Sequence, residues 1–398
     1  MTTTLPILRL KKGEERRILA GHPWIYSNEI DNVATPLKSF TRGQTVLVEA
    51  YNKTLVGVAY VNPHSLIAAR LFSRNPKDRL NVEFIQTRLA SALAFRDAHF
   101  DKPFYRLCFS EADGLPGLVI DRFGVHLVCQ INTAGMAQVE TQITEALLSL
   151  LPDTQSILLR NDSQIREQEG LPLEVKAIHG QPPEVAFIEE NHVQFQLPLW
   201  EGQKTGWFYD HRQNRARLAQ YVKDKRVLDV FSYLGAWGIQ AAALGATSVD
   251  CVESSALACN YIRKNAELNK LTDRVHVINN DAFDAMKALL SSGKKYNVIT
   301  LDPPAFVKRL KDQKEGMLAY QRINELAVKL LAEDGILFTC SCSMHVSMTD
   351  LTQMLQRVSY RTDSRLQLLE RGHQGVDHPV HLAIPETDYL KAMVVRKF

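Results

Sequence analysis

Short apolar runs alternate with helix-like stretches from about residue 200 to residue 341, and this rhythm limits the fold more than anything else in the chain. RVLDVF (226–231), TSVDCVES (247–254), RVHVINND (274–281), YNVITLD (296–302) and GILFTCS (335–341) have the length and apolar density of buried strands. Between them, ACNYIRKNAELNK (258–270) and YQRINELAVKLLAEDG (320–335) carry helical spacing. Strand and helix in alternation predict an α/β fold, a doubly wound and largely parallel sheet. In such sheets ligands gather outside the carboxyl ends of the strands, so the residues closing each run matter most.

Upstream the pattern changes. ILRLKKGEER, PWIYSNEI, GQTVLVEAYNKTLVGVAYVNP and IAARLFSRNP are β-rich and punctuated by Gly, Asn and Pro, predicting a small β-rich domain over residues 1–75. A mixed α+β middle domain follows over 76–196, with a helix from Asn81 to Phe100, another near 136–151, and a hairpin in VAFIEENHVQFQL. The sheet domain takes 197–398. Residues 1–80 hold twelve Lys and Arg against six Asp and Glu, a local +6 that leaves −3 for the rest. A basic front module suggests a polyanionic partner, although a solvated surface gives the same count. No segment approaches the ~18 consecutive apolar residues of a membrane span. The opening MTTTLPILRLKKGEERR has charges where a signal peptide needs its apolar region, so a cytoplasmic address is expected. The six cysteines show no disulfide framework.

The first strand ends in DVFSYLGAWG (229–238), which lacks the G-x-G-x-x-G spacing of a dinucleotide site. Asp229 would repel phosphate and favours a ligand with a cationic amine and a sulfonium centre, which describes S-adenosyl-L-methionine. Glu253 closes the second strand, suited to ribose hydroxyls, and Asp281 closes the third, suited to the adenine amino group. Phe231, Ser232, Tyr233, Gly235, Ser254 and Ala282 are expected to line the same pocket. Acids that merely cap helices would give the same three positions.

The fourth run ends in Asp302-Pro-Pro-Ala-Phe306, where two prolines stiffen the exit from the sheet. The last ends in Ser341-Cys342-Ser343, with Cys340 deeper in the run. Side chains alternate along a strand, so both thiols face one side, but only Cys342 reaches the carboxyl end beside Asp302. A thiolate there could add to carbon 6 of cytosine, while an acid at N3 lowers the barrier, making carbon 5 nucleophilic. His345 and the run Lys308-Arg309-Leu-Lys311 could supply the positive surroundings that such a thiol needs. Zinc held by Cys340, Cys342 and His345 is disfavoured by the one-residue spacing, and simple packing of the thiols is a further reading. No metal is expected.

GQKTGWFYDHRQNR (202–215), DVFSYLGAWG, DPPAF and SCS together resemble bacterial ribosomal RNA large-subunit methyltransferases that make 5-methylcytosine. GHPWIYSNEI (21–30) resembles their RNA-binding PUA module, and EADGLPGLVIDRFG (111–124) their middle domain. The resemblance implies a Rossmann-like methyltransferase domain behind a PUA-like one, with ribosomal RNA as partner. It implies Cys342 as nucleophile, Asp302 at cytosine N3, and Asp229, Glu253 and Asp281 on the donor. It also implies that Lys204 to Arg212 closes over the site, Phe208 covering the adenosine and Asp210 and Arg212 contributing. Asp210 is expected to cap a helix through NRARLAQY; an interdomain brace is the other reading of that stretch. Ala305-Phe306 stands where many RNA cytosine methylases have a second cysteine, so another base must take the carbon 5 proton. A methylase of an exocyclic amine and a non-catalytic RNA-binding assembly protein are the competing functions.

Overall fold

The computed structural model describes residues 4–398; Met1 to Thr3, at the head of the expected first domain, lie outside them. The chain forms two compact units. One comprises the described residues up to 186 with 198–207 and 376–387, and the other 187–197, 208–375 and 388–398.

The first unit contains two five-stranded sheets. One joins Ile7–Arg9, Thr45–Glu49, Leu55–Val61, Ile67–Ser73 and Trp24–Tyr26 in that spatial order around a core that includes Leu8, Ile25, Val46, Val48 and Ala69. The other orders Glu174–Gly180, Ser156–Asn161, His126–Ile131, Leu118–Phe123 and Phe104–Phe109. Its core takes Ile85 and Leu89 from the helix Val82–Asp97, and Ile143 and Leu147 from the helix Glu140–Leu150. Asn81 starts the first of these helices, its side chain accepting from Phe84 N. The basic excess near the amino end is partly spent inside the fold, since Arg9 pairs with Glu49, Arg17 with Glu29 and Arg70 with Glu169. Lys11, Lys12, Arg16, Lys38, Lys53 and Lys77 remain exposed.

The second unit is built on a seven-stranded sheet: β1 Arg226–Val230, β2 Ser248–Glu253, β3 Val275–Asn279, β4 Tyr296–Leu301, β5 Leu331–Ser341, β6 Leu366–Gly372 and β7 Lys391–Lys397. The spatial order is β3-β2-β1-β4-β5-β7-β6. The first five strands run parallel, and β7 enters antiparallel to both β5 and β6. Five helices connect the strands: α1 Ala236–Ala243, α2 Ala256–Leu268, α3 Ala282–Ser291, α4 Gln313–Leu330 and α5 Met348–Arg361. One core gathers Leu228, Ile299 and Leu337 from the strands with Met286 of α3, Ile323 of α4 and Met354 of α5. Apolar side chains on both faces explain why these strands read as near-continuous hydrophobic runs. The order reverses between β1 and β4, which places the ligand crevice at their carboxyl ends.

The α/β architecture agrees with the sequence reading, with two differences. Strands β6 and β7 complete the sheet beyond the five runs expected. The helix through NRARLAQY breaks into the α-helical turn Arg212–Ala216 and the 3-10 turn Arg217–Gln220. Among the described residues no helix is long and apolar enough to cross a membrane.

Arg215 anchors the start of this unit. Its guanidinium donates to both oxygens of Glu190, at 2.5 and 2.9 Å, Gln240 adds a bond at 2.9 Å, and both charges are buried. Removing one partner strands a buried charge, so Glu190→Gln should lower unfolding stability by about 3–5 kcal/mol in urea denaturation. A loss under about 1 kcal/mol would place the pair with surface ion pairs.

Candidate active site

At the end of β1 the chain turns through Phe231-Ser-Tyr-Leu-Gly235 with positive φ at Phe231 (65°), Tyr233 (50°) and Gly235 (84°). Two non-glycine residues in left-handed geometry are costly unless the surroundings hold them, and such strain concentrates at functional sites. Two carboxylates hold this turn. Asp229 is fully buried; one oxygen accepts from Thr300 Oγ1 at 2.6 Å and the other from Gly238 N at 3.0 Å. Glu253 accepts from Tyr233 N at 2.9 Å and from Ser255 N at 2.8 Å. Gly238 is required where it stands, because a Cβ there would lie 2.5 Å from Cys251 Sγ and 3.1 Å from an Asp229 oxygen.

The expected donor residues therefore sit around one turn at the carboxyl ends of β1, β2 and β3. Ser232 is buried and its hydroxyl donates to Asp229 O, while Phe231 and Tyr233 are half-buried. Ser254 is exposed beside half-buried Glu253. Asp281 is exposed and caps α3, accepting from Phe283 N and Asp284 N, with Ala282 buried behind it. Phe208 meets the Tyr233 ring edge-on, centroids 5.4 Å apart. Asp210 caps no helix, contrary to expectation; it accepts from Tyr389 OH at 2.5 Å. Arg212 lies over the Tyr209 ring and 3.6 Å from Glu190.

The Asp-Pro-Pro-Ala-Phe loop leaves β4, and Ser341-Cys342-Ser343 leaves its neighbour β5. They are joined side by side. Val307 N donates to Ser343 Oγ at 3.2 Å, and Phe306 packs on Tyr320 of α4, centroids 4.8 Å apart. The Tyr320 hydroxyl bonds both Ser341 Oγ (2.9 Å) and Ser343 Oγ (3.0 Å). With both serines pinned toward α4, alternation turns Cys342 the other way. None of the six cysteines is in a disulfide; five are buried and Cys342 is half-buried.

Asp302 is held at both oxygens, by His211 Nε2 at 3.2 Å and Trp237 Nε1 at 3.1 Å. Burial pushes its carboxyl up, but the His211 charge and the two hydrogen bonds together outweigh it, leaving Asp302 below the ordinary carboxylate value. Asn214 Nδ2 lies 3.3 Å from the other His211 ring nitrogen. Cys340 completes a compact group, its sulfur within 4.8 Å of donor atoms of His211 and Asp302, and burial first, then the Asp302 and Cys342 charges, push its thiol well up. The zinc set of Cys340, Cys342 and His345 does not assemble among the described residues.

Lys308, Arg309 and Lys311 are exposed, and Arg309 pairs with Asp312. Lys391, the first residue of β7, lies opposite Ser341, one residue before Cys342, and its Nζ donates to Ser343 O and Tyr389 O, each at 2.7 Å. His211, Trp237 and Tyr320 were likewise unassigned in the sequence, although His211 and Trp237 lie inside the quoted motifs.

Family models match two stretches: a PUA-like domain over residues 8–74 and Conserved hypothetical protein 95 over 215–369. Ribosomal RNA large subunit methyltransferase I of Shewanella frigidimarina is 36% identical over 395 residues, covering 98% of each chain. The Aeromonas salmonicida protein of the same name is 37% identical over 393 residues, 97% of this chain and 98% of its own. The chain belongs to the ribosomal RNA large subunit methyltransferase I family. Solved structures share the fold of this family member at lower identity. A candidate SAM-dependent methyltransferase from Streptococcus mutans superposes with a TM-score of 0.82 at 21% identity, covering 98% of this chain and all of its own. A candidate methyltransferase solved with SAH gives 0.84, also at 21%. The methyltransferase activity, S-adenosylmethionine donor and PUA-like first domain expected from the sequence agree with these findings.

Asp229 provides a test by pH. Burial, outweighing three hydrogen bonds, pushes its carboxyl up to about 6. A raised carboxyl favours the folded state while protonated, so its contribution is present below the unfolded value and lost as pH rises through the folded one. Asp229→Asn keeps an acceptor for Gly238 N and removes that loss. The stability difference between variant and wild type should thus shift in the variant's favour by about 3 kcal/mol between pH ~4 and ~7, read from urea titrations. A pH-independent difference would contradict this.

Proposed function

We propose that this chain methylates carbon 5 of a cytosine in large-subunit ribosomal RNA, through a transient bond between Cys342 Sγ and carbon 6. The observation that carries the reading is the junction of the two loops leaving β4 and β5. It sets the one incompletely buried cysteine next to a segment whose carboxylate is held ready by His211 and Trp237.

The pinned turn 231–235, Glu253 and Asp281 supply the acids and the stacking ring that would hold S-adenosylmethionine, with Asp229 acting through the turn it locks. Phe208, packed on Tyr233, would cover the adenosine side, and Asp210 and Arg212 would hold the 208–212 segment in place. That segment, held by Arg215 and by the Asp210–Tyr389 bond, supports a closing role over the site. When bound, the donor supplies an electrophilic methyl group.

The Cys342 thiolate adds to carbon 6, and the electron pair of the 5,6 double bond becomes available at carbon 5. The proton that N3 takes up as the thiolate adds is delivered through the Asp302–His211 pair, and the Asp302 carboxylate then remains as its anionic partner and stabilises the enamine. Carbon 5 takes the methyl group as that group's bond to the donor sulfur breaks. A base then removes the carbon 5 proton, whose electron pair restores the 5,6 double bond as the Cys342 sulfur leaves carbon 6 as thiolate and N3 returns its proton to the Asp302–His211 pair. The exposed lysines and Arg16 of the PUA-like domain would meet RNA phosphates, a contact that positions without reading sequence. A base reached in this way must leave its stack, which loop or single-stranded RNA allows most easily.

With ribosomal RNA and labelled donor, Cys342→Ala should lose methyl transfer by on the order of a thousandfold or more, and Asp302→Asn by about a hundredfold. Both should still bind the donor, measured calorimetrically. Near wild-type turnover by Cys342→Ala would instead favour methylation of an exocyclic amine, and loss of donor binding in the wild type a non-catalytic role.

A further inference from the structure

Lys391 is buried, at 7% exposure. Its backbone sits opposite Ser341 in the β5–β7 register, one residue before Cys342, and its Nζ is fixed by the carbonyls of Ser343 and Tyr389. A buried charge ordinarily has a counter-charge, because desolvation without one is costly. Among the described residues no carboxylate comes within ion-pair distance of this ammonium: Asp388, just before it in the chain, and Asp350 of α5 act on it only from farther off. Besides these two carboxylates, the Cys342 thiol is the group whose charge acts on it. Lys391 also forms part of the wall of a cavity of about 530 Å³ lined by Met344 and His345 of the segment that follows the thiol and by Arg371 and His373 at the end of β6.

We propose that Lys391 is a positioning residue for the methylation: its carbonyl-fixed ammonium is the counter-charge that holds Cys342 as a thiolate and aims it at the pyrimidine. The inference rests on the reading of Cys342 as nucleophile. It adds a buried ammonium to the exposed basic run 308–311 and His345, which the sequence suggested for this task. Burial, the largest influence on Lys391, pushes its ammonium down, and the Asp388, Cys342 and Asp350 charges pull it back up. Thiol and amine are thus coupled, each favouring the charged form of the other.

The coupling can be read without RNA. Five of the six cysteines are buried, so alkylation of the folded full-length chain by iodoacetamide, located by mass spectrometry, reports Cys342. In Lys391→Met the pH profile of alkylation should move up by a unit or more, which slows the reaction at neutral pH about tenfold. Lys391→Arg should restore the rate to within about threefold of wild type. A wild-type profile in a folded Lys391→Met chain overturns the proposal, including the case in which that variant loses RNA affinity instead, because the ammonium would then serve a phosphate. If Lys391→Met does not fold, Cys342→Ser gives the reciprocal measurement. The Lys391 ammonium, followed by NMR, should titrate at lower pH once the thiolate is gone, and an unchanged titration overturns the proposal. Failure here leaves the covalent reading standing if Cys342→Ala still abolishes methyl transfer, so the two are separable.

Discussion

The Tyr320 hydroxyl reaches from α4 to Ser341 and Ser343 and fixes the direction of everything that follows β5. A cysteine at the end of a strand has rotational freedom; one flanked by two anchored serines does not. The same Ser343 receives Val307 N from the Asp-Pro-Pro loop through its hydroxyl and Lys391 Nζ through its carbonyl. Three elements from distant parts of the chain therefore converge on one serine, and the thiol between the pins is presented with its neighbours already placed. Preorganisation of this kind spares the reaction the cost of ordering its groups.

The donor side shows the same economy. Asp229 and Glu253 spend their oxygens on backbone amides and Thr300, keeping a strained turn in left-handed geometry. The acid that closes the first strand is thus better understood as the lock of the turn than as a group open to solvent. Gly238, packed against Asp229 and Cys251, lets α1 start close enough for its backbone to complete that lock.

Much of this was readable in the sequence for a physical reason. Strands buried on two faces need continuous apolar runs, so β1 to β5 and the crevice at their ends could be placed from the chain alone. Strand β6, LQLLERG, is largely exposed and polar in pattern, and β7 pairs with β5 across more than forty residues; neither carries a local signal. Lys391 was missed on that account, since its relation to Cys342 exists only through antiparallel pairing. The capping role expected of Asp210 failed because the helix it would start is a single turn, and Tyr389 occupies the carboxylate instead. Cys340 is buried, as its depth in the strand implies, but its nearness to Asp302 after β4 and His211 of the Tyr209–His211 turn carries no local signal. These errors share one cause: local spacing orders residues along an element and says little about which other element lies beside it.

The central claim is that residue 342 forms a bond with its substrate, and a mechanism-based trap tests it most directly. RNA carrying 5-fluorocytosine at the target position cannot release fluorine as it would a proton. Incubated with the donor and the chain, it should give a protein–RNA adduct that survives denaturing electrophoresis and maps by mass spectrometry to Cys342. Quantitative methyl transfer to ordinary RNA with no adduct on the fluorinated substrate would contradict the account.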